Sequence, residues 1–125
     1  ERMNTELDEL TKTLYGTAEV EDLTGISAFT IRYYDKCGFF PALVRNKRGV
    51  RYFSHADIER LQLVDALRRS GLSIEGIQYF VKISEKPSKQ DEVKRILETQ
   101  KTMLEIQRDE IEHGLERIQE AIDRL

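Results

Sequence analysis

Arg32, Tyr33 and Tyr34 stand together in the run Phe29-Thr30-Ile31-Arg32-Tyr33-Tyr34-Asp35, a guanidinium beside two phenols. Hydroxyls at Thr17, Ser27 and Thr30 precede or join them. A second group follows at Arg45, Lys47, Arg48, Arg51 and Tyr52, arranged around Gly49. From Arg32 to Arg51 there are six Lys or Arg against one acidic residue, Asp35. Guanidinium groups read paired acceptors on base edges, while hydroxyls, helix-terminal amides and further cations hold phosphates. The chemistry these residues suit is recognition of a polyanion, and double-stranded DNA is the expected partner.

Short helices and turns must position these groups. Thr17 is a plausible N-cap for a helix carrying Val20 and Leu23 that stops near Gly25. Ser27 caps a second helix, with Ile31 and Tyr34 turned inward until Gly38, which makes a helix-turn-helix. Tyr33, about 100° round the helix from Tyr34, is the better phosphate contact, and Tyr34 is shared between core and backbone packing. Residues 39–53, with Pro41, Gly49 and alternating side chains from Val50 to Phe53, suit a two-stranded hairpin. Ser54 begins a third helix (Ile58, Leu61, Val64, Leu67) and Ser73 a fourth (Ile77, Phe80, Val81). Lys86-Pro87-Ser88 is a break and the expected domain boundary.

From Asp91 onward a long helix is expected. Leu97, Leu104, Ile111, Ile118 and Leu125 recur at sevens, with Leu115 and Ile122 adding the i+4 position in the second half. Gln100 and Gln107, or Lys101 and Arg108, fill those positions in the first half and make a poorer seam. Such a stripe calls for a second helix, so homodimerisation as a coiled coil is expected. The domain reading is an N-terminal arm at 1–14, a DNA-binding domain at 15–86, a linker at 87–90 and a dimer helix at 91–125. The arm carries Leu7, Leu10 and Leu14 at helical spacing; it opens on Glu where a start codon would give Met, consistent with a fragment.

Composition narrows the function classes. The 125 residues carry a formal net charge of −3, yet residues 15–86 carry +2 and residues 91–125 carry −4. Distribution outweighs the sum, because screening limits each charge to about 8–10 Å. No apolar run suits a membrane span and no signal pattern opens the chain, so a cytoplasmic protein is expected. One cysteine excludes an internal disulfide, and His55 and His113 are most simply surface residues. No catalytic arrangement suggests itself, and no cofactor is implied. Gly71 to Gly76 has phosphate-loop spacing without the following Lys-Ser/Thr, and helix capping by Ser73 accounts for it.

Several pieces occur in an order and spacing that resembles the N-terminal domain of the MerR family of bacterial transcription regulators. They are Tyr15-Gly16-Thr17-Ala18-Glu19-Val20, Leu23-Thr24-Gly25-Ile26-Ser27, Thr30-Ile31-Arg32-Tyr33-Tyr34-Asp35 and Gly38-Phe39-Phe40-Pro41. Gly49-Val50-Arg51-Tyr52-Phe53-Ser54, Asp57-Ile58, Leu67-Arg68 and Gly71-Leu72-Ser73-Ile74 follow. The resemblance, to a short member without a separate effector domain, implies a mainly α fold. A winged helix-turn-helix with a two-stranded wing precedes a long, antiparallel dimerisation helix. It implies a homodimer on a pseudo-palindromic promoter operator, activating by distorting the promoter spacer for RNA polymerase in response to an unidentified effector. Arg45, Lys47, Arg48, Gly49, Arg51 and Tyr52 would form the wing. Metal-sensing relatives place cysteines around the dimer helix; this chain has none there, so no metal site is expected.

Three alternatives stand beside it. The chain could be a simple repressor, a coiled-coil adaptor without promoter-distorting activity, or a thiol-based stress sensor through Cys37. At the end of the second helix, Cys37 is more simply a small buried hydrophobe.

Overall fold

Polar caps and glycines divide the chain into short elements before one long helix. The computed structural model describes residues 14–125, so the expected arm, with Leu7 and Leu10, lies outside the described residues apart from Leu14. The order is β1 (Tyr15–Gly16), α1 (Thr17–Thr24), α2 (Ala28–Lys36), β2 (Val44–Arg45), β3 (Arg51–Phe53), α3 (His55–Arg69) and α4 (Ile74–Ile83). A 3-10 turn (Pro87–Lys89) then leads directly into α5 (Gln90–Asp123). Two compact units divide the chain, one ending at Asp65 and the other spanning Ala66–Leu125. The division falls inside α3, earlier than the break at Lys86-Pro87-Ser88.

In the first unit, Ser27 caps α2 as expected: its Oγ accepts from the Thr30 amide at 3.1 Å. The cap of α1 differs from the sequence reading. Gly16, not Thr17, holds the N-cap position, and Glu19 Oε1 accepts from the Gly16 amide at 3.1 Å. Thr17 is instead the first helical residue. The cause is strand β1, which keeps Tyr15 and Gly16 extended until the helix begins.

The expected hairpin forms from β2 and β3, and β1 adds a third strand in the order β1-β3-β2. All pairing is antiparallel, with Tyr15 opposite Phe53, Val44 opposite Tyr52 and Arg45 opposite Arg51. A two-residue strand carries no periodicity, which is why sequence alone predicts two strands. Val20, Ile31, Phe39, Phe53 and Leu61 are fully enclosed. Phe40 meets Phe53 edge-on at 5.8 Å, a favoured aromatic geometry.

In the second unit, Ser73 Oγ accepts from the Gly76 amide at 2.9 Å and starts α4. Leu67, Ile77, Phe80, Ile83 and Val93 are its buried apolar side chains. The first half of α5 is tied to its own chain. Tyr79 donates to Glu92 Oε1 at 2.5 Å, and Gln107 Nε2 donates to the Arg69 carbonyl at 3.1 Å. The Ser70 hydroxyl lies within hydrogen-bonding distance of both the Leu67 carbonyl (2.6 Å) and the Gln100 side chain (2.8 Å). Gln100 and Gln107 interrupt the apolar stripe because they serve intrachain contacts. The second half of α5 has no such support: Ile111, Leu115, Ile118, Ile122 and Leu125 are all exposed. At 34 residues the helix is about 50 Å long. No described helix is long and apolar enough to cross a membrane.

Candidate nucleic-acid interface

Helix α2 shows two faces at the period its sequence dictates. Ile31, Tyr34 and Asp35 are buried, whereas Phe29, Arg32, Tyr33 and Lys36 are exposed. Residues spaced i, i+3, i+4 and i+7 share a side of a helix, so the exposed four form one stripe. Arg32 and Tyr33 therefore lie where the sequence reading places them, with Tyr33 47% exposed. Tyr34 does not belong to this surface. Its hydroxyl donates to Asp65 Oδ1 at 2.9 Å and its ring meets Phe39 at 5.6 Å. These two contacts account for the core half of the shared role expected of Tyr34.

The hydroxyls at the start of α2 are also engaged. Ser27 and Thr30 lie 3.0 Å apart through their side-chain oxygens, and Ser27 holds the Thr30 amide. Glu21 Oε2 accepts from the Ala28 amide at 2.6 Å, a contact the sequence reading missed. Two amides that a phosphate would seek at this helix end are thus already satisfied from within the chain.

Asp35 is the organising group of the unit. Its side chain is 3% exposed, and it receives Arg45 Nη2 at 2.6 Å and Arg51 Nε at 2.5 Å. Arg45 and Arg51 are directly opposed across β2 and β3, where like charges repel. The carboxylate from α2 lies between them and converts that repulsion into a latch between helix and wing. Burial opposes ionisation of Asp35, but the hydrogen bonds from Arg45 and Arg51 outweigh it and hold the carboxyl below its ordinary value. The same pairing raises Arg45. Sequence reading treats Arg45 and Arg51 as two more phosphate ligands; the fold gives both an internal partner. Tyr52, next to Arg51 on a strand, projects from the opposite face and is half-buried.

Beyond this latch the tip of the wing is a tight, hydrogen-bonded turn. Asn46 Oδ1 accepts from the amides of Arg48 and Val50, both at 2.9 Å, and the Gly49 amide donates to the Asn46 carbonyl at 3.0 Å. Gly49 completes this turn at φ 81°, a conformation that side chains disfavour. Lys47 and Arg48 are exposed on the resulting rigid turn. Asn46 was legible in principle, since Asn ahead of a Gly-containing turn often folds its side chain back on the backbone.

Cys37 forms the C-cap of α2 and is half-buried, not fully enclosed as expected for a small hydrophobe. Among the described residues, no three His, Cys, Asp or Glu side chains come together as a metal site requires.

Comparison with known proteins places this arrangement. Residues 15–82, more than half the chain, match the family described as MerR HTH family regulatory protein. The HTH-type transcriptional regulator YyaN of Bacillus subtilis is 36% identical over 69 residues, 55% of this chain and 50% of YyaN. The chain thus spans about half the length of curated relatives such as YyaN. YfmP of Bacillus subtilis, another HTH-type transcriptional regulator, is 32% identical over 108 residues, covering 84% of this chain and 70% of YfmP. Among solved structures, HiNmlR, a MerR family regulator lacking the sensor domain and bound to promoter DNA, superposes with a TM-score of 0.74 at 31% identity. That superposition covers 82% of this chain and 79% of HiNmlR. The helix-turn-helix, the wing latched to it and the long helix that follows are those of the MerR family of regulators, to which this chain belongs.

Proposed function

We propose that this chain is a sequence-specific DNA-binding transcription regulator that acts as a homodimer on a pseudo-palindromic promoter operator. The observation that carries the reading is the outward stripe of α2, held at a fixed angle to a basic wing tip by Asp35. Helix α2 enters the major groove, Arg32 reads a base edge and Tyr33 holds a phosphate. Lys47 and Arg48 take flanking phosphates. Residues 15–86 act as the DNA-binding part and α5 as the dimer helix, its exposed second half pairing with a second copy. As in the family, the bound promoter spacer is distorted so that RNA polymerase engages both promoter elements, under control of an effector. The promoter-bound state of HiNmlR supports DNA as the partner.

Division of labour between helix and wing gives the test. Arg32→Ala is expected to cost about 1–3 kcal/mol per half-site and to relax preference at one base position. Arg48→Ala should weaken all sequences alike and lower the salt slope by about one unit per half-site. Binding titrations against specific and random DNA over a salt series distinguish the two. Equal loss on both DNAs for Arg32→Ala would remove base readout from Arg32. Salt-indifferent binding by the parent chain would favour the adaptor reading, and an undistorted central step in footprinting would favour simple repression.

Cys37 has no part in this function. Cys37→Ser is expected to change stability by about 1 kcal/mol or less and to leave DNA binding indifferent to peroxide. Reversible peroxide-dependent binding in the parent chain, abolished by Cys37→Ser at unchanged stability, would make the thiol a sensor.

A further inference from the structure

The outward stripe of α2 opens on a residue that neither charge nor hydroxyl chemistry explains. Phe29 is 76% exposed, more than any other aromatic side chain among the described residues. A ring in that position leaves a large apolar surface in water. It lies three and four residues before Arg32 and Tyr33, so ring, guanidinium and phenol share one face. It also stands in the first turn of α2, the end of a recognition helix that approaches base edges most closely.

Phosphate binding does not account for this end of the helix, because Glu21 and Ser27 already occupy the Ala28 and Thr30 amides. Base edges in the major groove carry hydrogen-bonding groups throughout and one apolar group, the C5-methyl of thymine. We infer that Phe29 is a specificity-determining residue that packs on a thymine methyl in each half-site of the operator. The inference rests on the DNA-binding reading and adds an apolar reader to the polar one, Arg32. Lys36 and Arg32 on the same stripe make it a poor surface for an apolar protein partner and a good one for a duplex.

The test separates the methyl from every other feature of the base. An operator is selected from random duplex DNA with the whole chain, and its thymines are then replaced by deoxyuridine, one symmetry-related pair at a time. One pair of replacements should weaken the parent chain about four-fold per methyl, or about fifteen-fold for the pair. Phe29→Ala should bind the thymine and deoxyuridine forms of that operator equally. Phe29→Leu, still apolar, should retain part of the preference, and Arg32→Ala should retain all of it. Because Phe29 is so exposed, the variants are expected to fold as the parent does, which circular dichroism checks. If no pair of replacements weakens binding, or if Phe29→Ala still discriminates as the parent does, the inference is overturned while the regulator reading stands. A selection that enriches no sequence overturns both.

Discussion

Arg51→Ala is expected to destabilise the first unit by about 2–3 kcal/mol, even in the absence of DNA. Breaking a buried ion pair by removing one partner costs roughly 3–5 kcal/mol, because the remaining charge stays buried without compensation. Here the remaining charge is the Asp35 carboxylate, which is almost fully enclosed. Arg45 still reaches it, and Arg51 is itself partly open, so the lower figure applies. For a domain of this size such a loss lowers the melting temperature on the order of 10–20 °C. Lys47→Ala, at the solvated wing tip, should leave it unchanged. Urea or thermal denaturation monitored by circular dichroism reads the difference.

The acid side of the stability curve provides a second measure of the same latch. The folded carboxyl of Asp35 titrates below its ordinary value. Its contribution is therefore complete above about pH 3.9 and disappears as pH falls through the folded value. Asp35→Asn, which keeps the shape but not the charge, should lower stability at pH 7 and flatten the decline on the acid side, below about pH 4. Arg51→Ala within the range of ordinary surface substitutions, together with an unaltered acid limb in Asp35→Asn, would show that the latch contributes nothing.

Ile111→Asp combined with Ile118→Asp is expected to convert a dimer into monomers at micromolar concentration. Both side chains are 63% exposed in the single chain, on the half of α5 whose apolar stripe is left open to solvent. Each Leu or Ile enclosed on association contributes roughly 1.5–3 kcal/mol before ordering costs, and the stripe offers five per chain from Ile111 to Leu125. Two carboxylates per chain would have to enter that seam, where desolvation and mutual repulsion oppose them. A monomeric helix of this kind also frays, since an isolated stretch of about 15 residues is marginal in water. Sedimentation equilibrium should give one chain per particle, with part of the helical signal lost. A variant that still sediments as a dimer would exclude the α5 stripe as the interface.

Loss of the dimer should in turn abolish preference for two-fold symmetric DNA while single half-site binding persists weakly. The intrachain hydrogen bonds of Gln100 and Gln107 predict that the first half of α5 survives as helix in the monomer.

The long amphipathic stripe, the caps at Ser27 and Ser73, and the outward placement of Arg32 and Tyr33 were all legible in the sequence. Each depends on neighbours three or four residues away, whose geometry a helix fixes in advance. The turn at Gly49 was legible for the same reason: it is a local backbone requirement. Tertiary structure alone decided which of the basic residues face outward. Asp35 gathers Arg45 and Arg51 across separations of 10 and 16 residues, Tyr34 reaches Asp65 across 31, and Tyr15 pairs with Phe53 to add the third strand. In the sequence, Arg48 and Arg51 are equivalent cations three residues apart. The register of two short strands then turns Arg51 towards a buried carboxylate and leaves Arg48 on the rim, because a strand alternates its side chains and a tight turn does not.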